Sequence, residues 1–225
     1  MNAAPAGAAP APSELRARLR VCLAGTAPSG AAGAMLAGLP PELSARYQHL
    51  LPADPAWAAV LVPIIDHAAG LTVLLTERAP ELRHHAGQIS FPGGRVEAGD
   101  DGPVAAALRE AQEEIGLEPR HVEVLGFLPD QLIATGFRVT PVVALVATDL
   151  ALRVDATEVA AVFEVPLAFV LDAANHRFRR RPIGDGQIDV YDIPYGNRNI
   201  WGATAGMLVA LYRQLAGAAG AGAVQ

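Results

Sequence analysis

Gly93-Gly94-Arg95-Val96-Glu97-Ala98-Gly99-Asp100-Asp101 leads through Gly102-Pro103-Val104-Ala105-Ala106-Ala107-Leu108 into Arg109-Glu110-Ala111-Gln112-Glu113-Glu114-Ile115-Gly116-Leu117. The spacing predicts a helix over Pro103 to Ile115, with Asp100, Asp101 and Pro103 marking its start and Gly116 its end. Successive helical side chains turn by about 100°, so Glu110, Glu113 and Glu114 share one face, while Val104, Leu108, Ala111 and Ile115 point to the other. One face packs and the other gathers three carboxylates. Like charges at these spacings repel by a few tenths of a kcal/mol per pair, and no basic residue lies on the same face to relieve them. A solvated acidic surface is the commoner fate of such a helix. A divalent-cation site is the alternative, since Mg²⁺ and Mn²⁺ take hard oxygen ligands and bind through few carboxylates plus substrate phosphates.

Outward from this helix the chain changes to short apolar runs rich in branched residues. Ala58 to Ile65, Leu71 to Thr76, Val122 to Leu128 and Phe137 to Val146 read as strands. Val159 to Val165, Arg177 to Arg181 and Gln187 to Ile193 read as later strands, with short and closing helices at Leu167 to Ala173 and Thr204 to Leu215. Strands with helices before and after them imply an α/β fold, an α/β/α sandwich around a mixed β-sheet. Residues 57–216 form the main domain. Residues 13–56 form a helical extension, with Ser13 capping a helix through Leu23 and a second helix around Glu42 to Leu50. Residues 1–12, rich in Ala and Pro, and 217–225, rich in Ala and Gly, are flexible tails.

Composition removes whole classes of function. All 17 basic residues of the 225 are arginine. Without lysine there is no Schiff-base chemistry and no phosphate-loop lysine. The net charge of −6 argues against a nucleic-acid partner. The single cysteine, Cys22, excludes an internal disulfide and sits in no setting that would activate it. The uncharged run Val21 to Pro41 is interrupted by Gly25, Pro28, Gly30, Gly33, Gly38 and Pro40, so it makes no membrane span, and the start lacks a cationic secretion signal. Cytoplasm is the expected location. The expected partner is a small molecule, neither nucleic acid nor membrane, and a homodimer stays open.

The ending Arg109 to Leu117 resembles the Nudix box, with every position of Arg-Glu-apolar-x-Glu-Glu-x-Gly-apolar matched. Upstream, the usual acidic slot falls on Asp101 and the usual glycine slot on Arg95, one place beyond Gly94, so the loop is one residue longer. The resemblance implies a Nudix fold and a hydrolase that splits a diphosphate with Mg²⁺ or Mn²⁺. It makes Glu110 and Glu114 the metal ligands and Glu113 a further ligand or the base. Arg109 would orient the site by pairing with Asp101, and Glu158 and Glu164 are further candidates for the base.

The segment before the box carries Leu74-Leu75-Thr76-Glu77-Arg78, Leu82-Arg83-His84-His85-Ala86-Gly87-Gln88 and Phe91-Pro92-Gly93-Gly94. It is similar to the signature of the coenzyme A pyrophosphatase branch, except that Ala79 follows the arginine where serine is usual. Asn199 to Ala205 also looks like this branch. The resemblance implies cleavage of coenzyme A, or its derivatives, to adenosine 3',5'-bisphosphate and 4'-phosphopantetheine. Arg78 and Arg83 offer planar forks suited to phosphate, and Gly93 and Gly94 let backbone approach the ligand. His85 fills the family's histidine slot. Trp201 reads as core rather than as a platform for adenine, and Arg177, Arg179, Arg180 and Arg181 suit either the extra ribose phosphate or a solvated strand face. Another nucleoside diphosphate derivative is the alternative substrate. A nucleotide-sensing domain without turnover is disfavoured by the intact glutamates.

Overall fold

The computed structural model describes residues 11–40, 54–82, 85–133, 136–183 and 186–221. The region around Glu42 to Leu50, where a second N-terminal helix is expected, lies outside them. Two long strands form the centre: β2 (Ala56–His67) runs parallel to β8 (Phe137–Val146), paired from Ala56 with Phe137 to Ile65 with Val146. Such strands must be apolar on both faces. Along β2 the even-numbered Ala58, Val62 and Ile64 pack into one core, and Ala59, Leu61 and Ile65 into another. Along β8, Val139, Val143 and Leu145 face the first core while Val142, Ala144 and Val146 face the second.

Around this pair, β3 (Gly70–Arg78) joins the end of β2 in a hairpin, β5 (Gly93–Arg95) pairs with its beginning, and β9 (Val159–Pro166) and β4 (Ile89–Ser90) pair with β3. On the other side, β6 (Val122–Phe127) and β7 (Gln131–Ile133) pair with β8, and β1 (Met35–Leu36) lies parallel to β7. The helix α3 (Gly102–Ile115) covers one face through Ala106, Ala107, Ala111 and Ile115. Gly116 ends it at φ +69°, the left-handed conformation that stops a helix.

The opposite face is covered by α1 (Pro12–Leu23) and α5 (Gly202–Ala221). A separate antiparallel sheet of β10 (Arg177–Ile183), β11 (Gly186–Tyr195) and β12 (Arg198–Trp201) contributes Tyr191, Ile193 and Ile200 to that core. Among the described residues the other α-helices are the single turns α2 (Gly30–Gly33) and α4 (Leu167–Val170). Three layers result, the expected α/β/α sandwich.

Ser13 does not cap α1. Pro12 occupies its first turn, where a missing N–H costs nothing, and the cap position is Ala11. Leu15, Leu19 and Leu23, spaced by four, bury one stripe, and Arg16 pairs with Asp66 on the central sheet. The closing helix runs past Leu215 into the Ala/Gly run expected to be tail, through Gly217 to Ala221, because alanine holds helix well enough to offset scattered glycine. None of the described helices is long and apolar enough to cross a membrane.

Candidate active site

Pairing of β5 with Ala58–Val60 of β2 brings Gly93 and Gly94 beneath the acidic face of α3. Gly93 has φ +154°, and a Cβ there would lie 2.3 Å from the carbonyl oxygen of Ala59. At Gly94 a Cβ would lie 2.3 Å from Glu110 Oε1. Both glycines are therefore required by close approach, Gly93 to backbone and Gly94 to a carboxylate.

Glu114 is 3% exposed and accepts a hydrogen bond from the Gly93 N–H at 3.3 Å. Arg78 Nη1 stands 3.7 Å from its Oε1. Burial pushes this carboxyl up to about 7, with Glu158 and Glu110 adding repulsion against the opposing pull of Arg78 and Gly93. Glu110, half-buried, is also raised by burial and by the charges of Glu113 and Glu158, although Arg109 opposes this. Two carboxylates removed from water and repelling each other stay raised even though Arg109 contacts one and Arg78 approaches the other, which is the electrostatic situation a hard divalent cation relieves.

Glu113 points outward and is held by Arg109 Nη1 at 3.0 Å. Among the described residues no three Asp, Glu, His or Cys side chains converge on one point as a closed metal cage would require. The donor set fits an ion that keeps water or phosphate in its remaining positions, as Mg²⁺ does.

Arg109 is the hub of the face. Its Nε and Nη2 donate to Asp100 Oδ1 and Oδ2, both at 3.1 Å, its Nη1 donates to Glu110 Oε1 at 2.9 Å as well as to Glu113, and its Nη2 also reaches the Arg95 carbonyl at 3.0 Å. The pairing expected with Asp101 is made by Asp100 instead, whose carboxyl is held below the usual range by Arg109 and by the Glu97 N–H. Asp101 is exposed at the start of α3. Asp100 and Gly94 thus both stand one residue ahead of the usual spacing. The longer loop takes up its extra residue after Asp100, where Gly102 adopts φ +79°. The acidic face is also less bare than the helical projection suggests: Arg109 lies off it, but its long side chain folds across to two of the three glutamates.

The base candidates separate. Glu158 is exposed and acts electrostatically on Glu110 and Glu114. Glu164 bonds to His67 Nε2 at 2.6 Å and to Thr72, at the far end of β3.

A largely apolar cavity of about 440 Å³ opens beside Gly93 and Arg78. Its walls include Leu36 of β1, Leu132 of β7, Ile188 and Val190 of β11, and Met207 of α5. His85, at φ +58°, stands at its edge with Nδ1 2.9 Å from Gln88 Oε1. Trp201, expected in the core, is half-buried in the cavity wall, with the Arg181 guanidinium 4.2 Å above its ring. A second, polar cavity of about 350 Å³ shares Ile89 and Trp201 with the first and is lined by Glu77, Arg179, Arg198 and Asn199. Arg83 and His84 lie outside the described residues.

Sequence reading missed Asp100 as the partner of Arg109, Gln88, and the contribution of β1 and β7 to the cavity. For Asp100 the signal was present in Gly94, which is displaced by the same one residue. For two- and three-residue strands there was none.

Desolvated carboxylates, a converging arginine and an adjoining cavity make a candidate site suited to a cation and an anionic ligand. The NUDIX domain family model matches residues 55–183. The chain is 44% identical over 163 residues to a protein of Citrobacter koseri described as the uncharacterized Nudix hydrolase NudL, covering 70% of this chain and 82% of that one. It is 46% identical over 162 residues to NudL of Klebsiella pneumoniae, with the same coverage. Among solved structures, a MutT/nudix family protein from Enterococcus faecalis aligns with a TM-score of 0.46 at 19% identity, covering 76% of this chain and 67% of that one. The chain belongs to the Nudix family, whose hydrolases cleave pyrophosphate bonds in nucleoside diphosphate derivatives and generally use divalent metal ions.

Proposed function

We propose that this chain hydrolyses the diphosphate of coenzyme A or its derivatives, giving adenosine 3',5'-bisphosphate and 4'-phosphopantetheine or its acylated form. The observation that carries the reading is an apolar cavity that reaches Arg78 and Gly93, the two residues beside the Glu114 carboxylate, and that shares Ile89 and Trp201 with a polar cavity. Coenzyme A has this division: a long, weakly polar arm and a doubly phosphorylated nucleoside, joined by a diphosphate. The sequence signature from Leu74 to Gly94 supports the same substrate.

Glu110 and Glu114 would hold the divalent cation, Mg²⁺ or Mn²⁺. That ion supplies charge neutralisation at the diphosphate and a more acidic water. Arg78, already beside Glu114, offers its fork to a phosphate oxygen, and Arg83 is proposed for the same work. Gly93 and Gly94 leave room for the close approaches made there, while His85 lines the apolar cavity. As the water oxygen bonds to phosphorus and the bridging P–O bond breaks, a carboxylate must take the water's proton. Glu113 and Glu158 both present exposed carboxylates for this.

The test is product analysis after incubation with coenzyme A and Mg²⁺ or Mn²⁺, beside ADP-ribose and dinucleoside polyphosphates. Release of the two named products, at a kcat/KM above those of the other substrates, supports the reading. Faster hydrolysis of ADP-ribose would overturn it and leave the general Nudix assignment standing.

A further inference from the structure

Five buried side-chain polar atoms have no hydrogen-bond partner among the described residues: Arg78 Nε, Arg181 Nε, Arg198 Nε, Asn199 Oδ1 and Asp130 Oδ1. All but the last belong to residues that line the two cavities. A buried group left unpaired costs free energy, and unpaired groups gathered around a space mark the polar contacts of a ligand. Arg78 serves the carboxylate pair, but the polar cavity lies on another side of the β3–β4 connection. Glu77, the residue before Arg78, borders that cavity, and the β3–β9 register slips between these two residues.

Resting on the coenzyme A reading, we infer that the polar cavity is a second anion subsite, in which Arg198 and Arg179 bind the phosphate monoester on the substrate's ribose. Both side chains are positioned in advance. The Arg198 guanidinium stacks 4.3 Å above the Phe163 ring, and its Nε lies 3.8 Å from Glu77 Oε2, too far for a hydrogen bond and so free to donate elsewhere. Arg179 Nε is held at 2.9 Å by Asp192 Oδ1, which also accepts from Asn199 Nδ2 at 2.8 Å. That bond leaves Asn199 Oδ1 as an acceptor for the hydroxyl beside the phosphate. Glu77, the one acidic side chain bordering this cavity among the described residues, has only the loose contact with Arg198 to lose when a dianion enters. Guanidinium forks facing a phosphate make charge-assisted hydrogen bonds about twice as strong as neutral ones.

The experiment compares coenzyme A with 3'-dephospho-coenzyme A for the wild type and Arg198→Met, which keeps bulk against Phe163 and removes the charge. The wild type is expected to favour coenzyme A in kcat/KM by roughly ten- to a hundredfold. In Arg198→Met the ratio should collapse toward one, the loss falling mainly on coenzyme A. Arg179→Gln provides the same ratio should Arg198→Met fail to fold. Equal losses on both substrates would overturn the subsite. Calorimetric binding of adenosine 3',5'-bisphosphate and of AMP separates this inference from the reaction itself. If coenzyme A is not hydrolysed but the bisphosphate binds more tightly than AMP in an Arg198-dependent way, the subsite stands and the substrate reading falls. Equal affinity of the wild type for the two nucleotides overturns the subsite whatever is hydrolysed.

Discussion

The Glu110 carboxylate occupies the space where a side chain on Gly94 would begin, 2.3 Å from an added Cβ. What must yield is the end of a flexible side chain, so Gly94→Ala is expected to leave stability within ~1 kcal/mol while moving a metal-ligand candidate. We expect kcat to fall by on the order of 10²-fold, about the cost of one misplaced electrostatic group. At Gly93 the obstacle is the backbone of Ala59 and Val60, with φ at +154° as well, so Gly93→Ala should instead lower the melting temperature sharply. Thermal unfolding and steady-state kinetics on the two variants check the contrast. Similar melting losses in both would contradict it.

Glu114→Gln keeps the shape of a buried side chain and removes its charge. Its fold should be intact by circular dichroism while kcat drops at least ~10²-fold, and EDTA should abolish wild-type turnover. Full activity in either case would sink the metal role of the Glu110–Glu114 pair.

Asp100 and Asp101 are adjacent acids with different surroundings. Asp100 takes both arms of the Arg109 fork and the Glu97 N–H, whereas Asp101 is exposed. Asp100→Asn should lower the melting temperature and reduce kcat about tenfold or more, because a freed Arg109 no longer holds Glu110 and Glu113 in place. Asp101→Asn should change neither. Reversed effects in the two variants would return the pairing to Asp101.

The elements legible in the sequence were those with enough residues to show a period. The helix α3 carries an apolar stripe, an acidic face and a glycine stop, and β2 and β8 are long branched runs that only a doubly covered strand requires. The β1, β4, β5 and β7 strands have two or three residues each, and no period exists at that length. Within the site, residue types announced Glu110 and Glu114. The choice of Asp100 over Asp101 was signalled only indirectly, by Gly94 standing one residue ahead of its usual place, because the residue types of two adjacent aspartates are the same. Trp201 is apolar and reads as core. Its place on a cavity wall follows from the separate β10–β12 sheet standing against β1 and β7, a long-range arrangement with no local signature.

The pH dependence of stability should expose Glu114 directly. Its folded-state carboxyl is raised from 4.5 to about 7, so the folded protein keeps a proton that the unfolded chain releases. Below about pH 4.5 the group is protonated in both states and adds no difference. Between 4.5 and about 7 the unfolded state ionises first and gains, so stability falls as pH rises, by up to roughly 3 kcal/mol for a shift of this size, and levels off above it. Glu110, raised as well, acts in the same direction, whereas Asp100, lowered, contributes at more acidic pH. Chemical denaturation of wild type and Glu114→Gln in EDTA, from pH 4.5 to 8, isolates this carboxyl's contribution: the variant should gain on the wild type as pH rises. Millimolar Mg²⁺ should reverse the trend for the wild type, because a cation binds the ionised carboxylates and stabilises most where they are deprotonated. Parallel wild-type and variant curves, with or without Mg²⁺, would mean that Glu114 neither suffers from burial nor meets the cation.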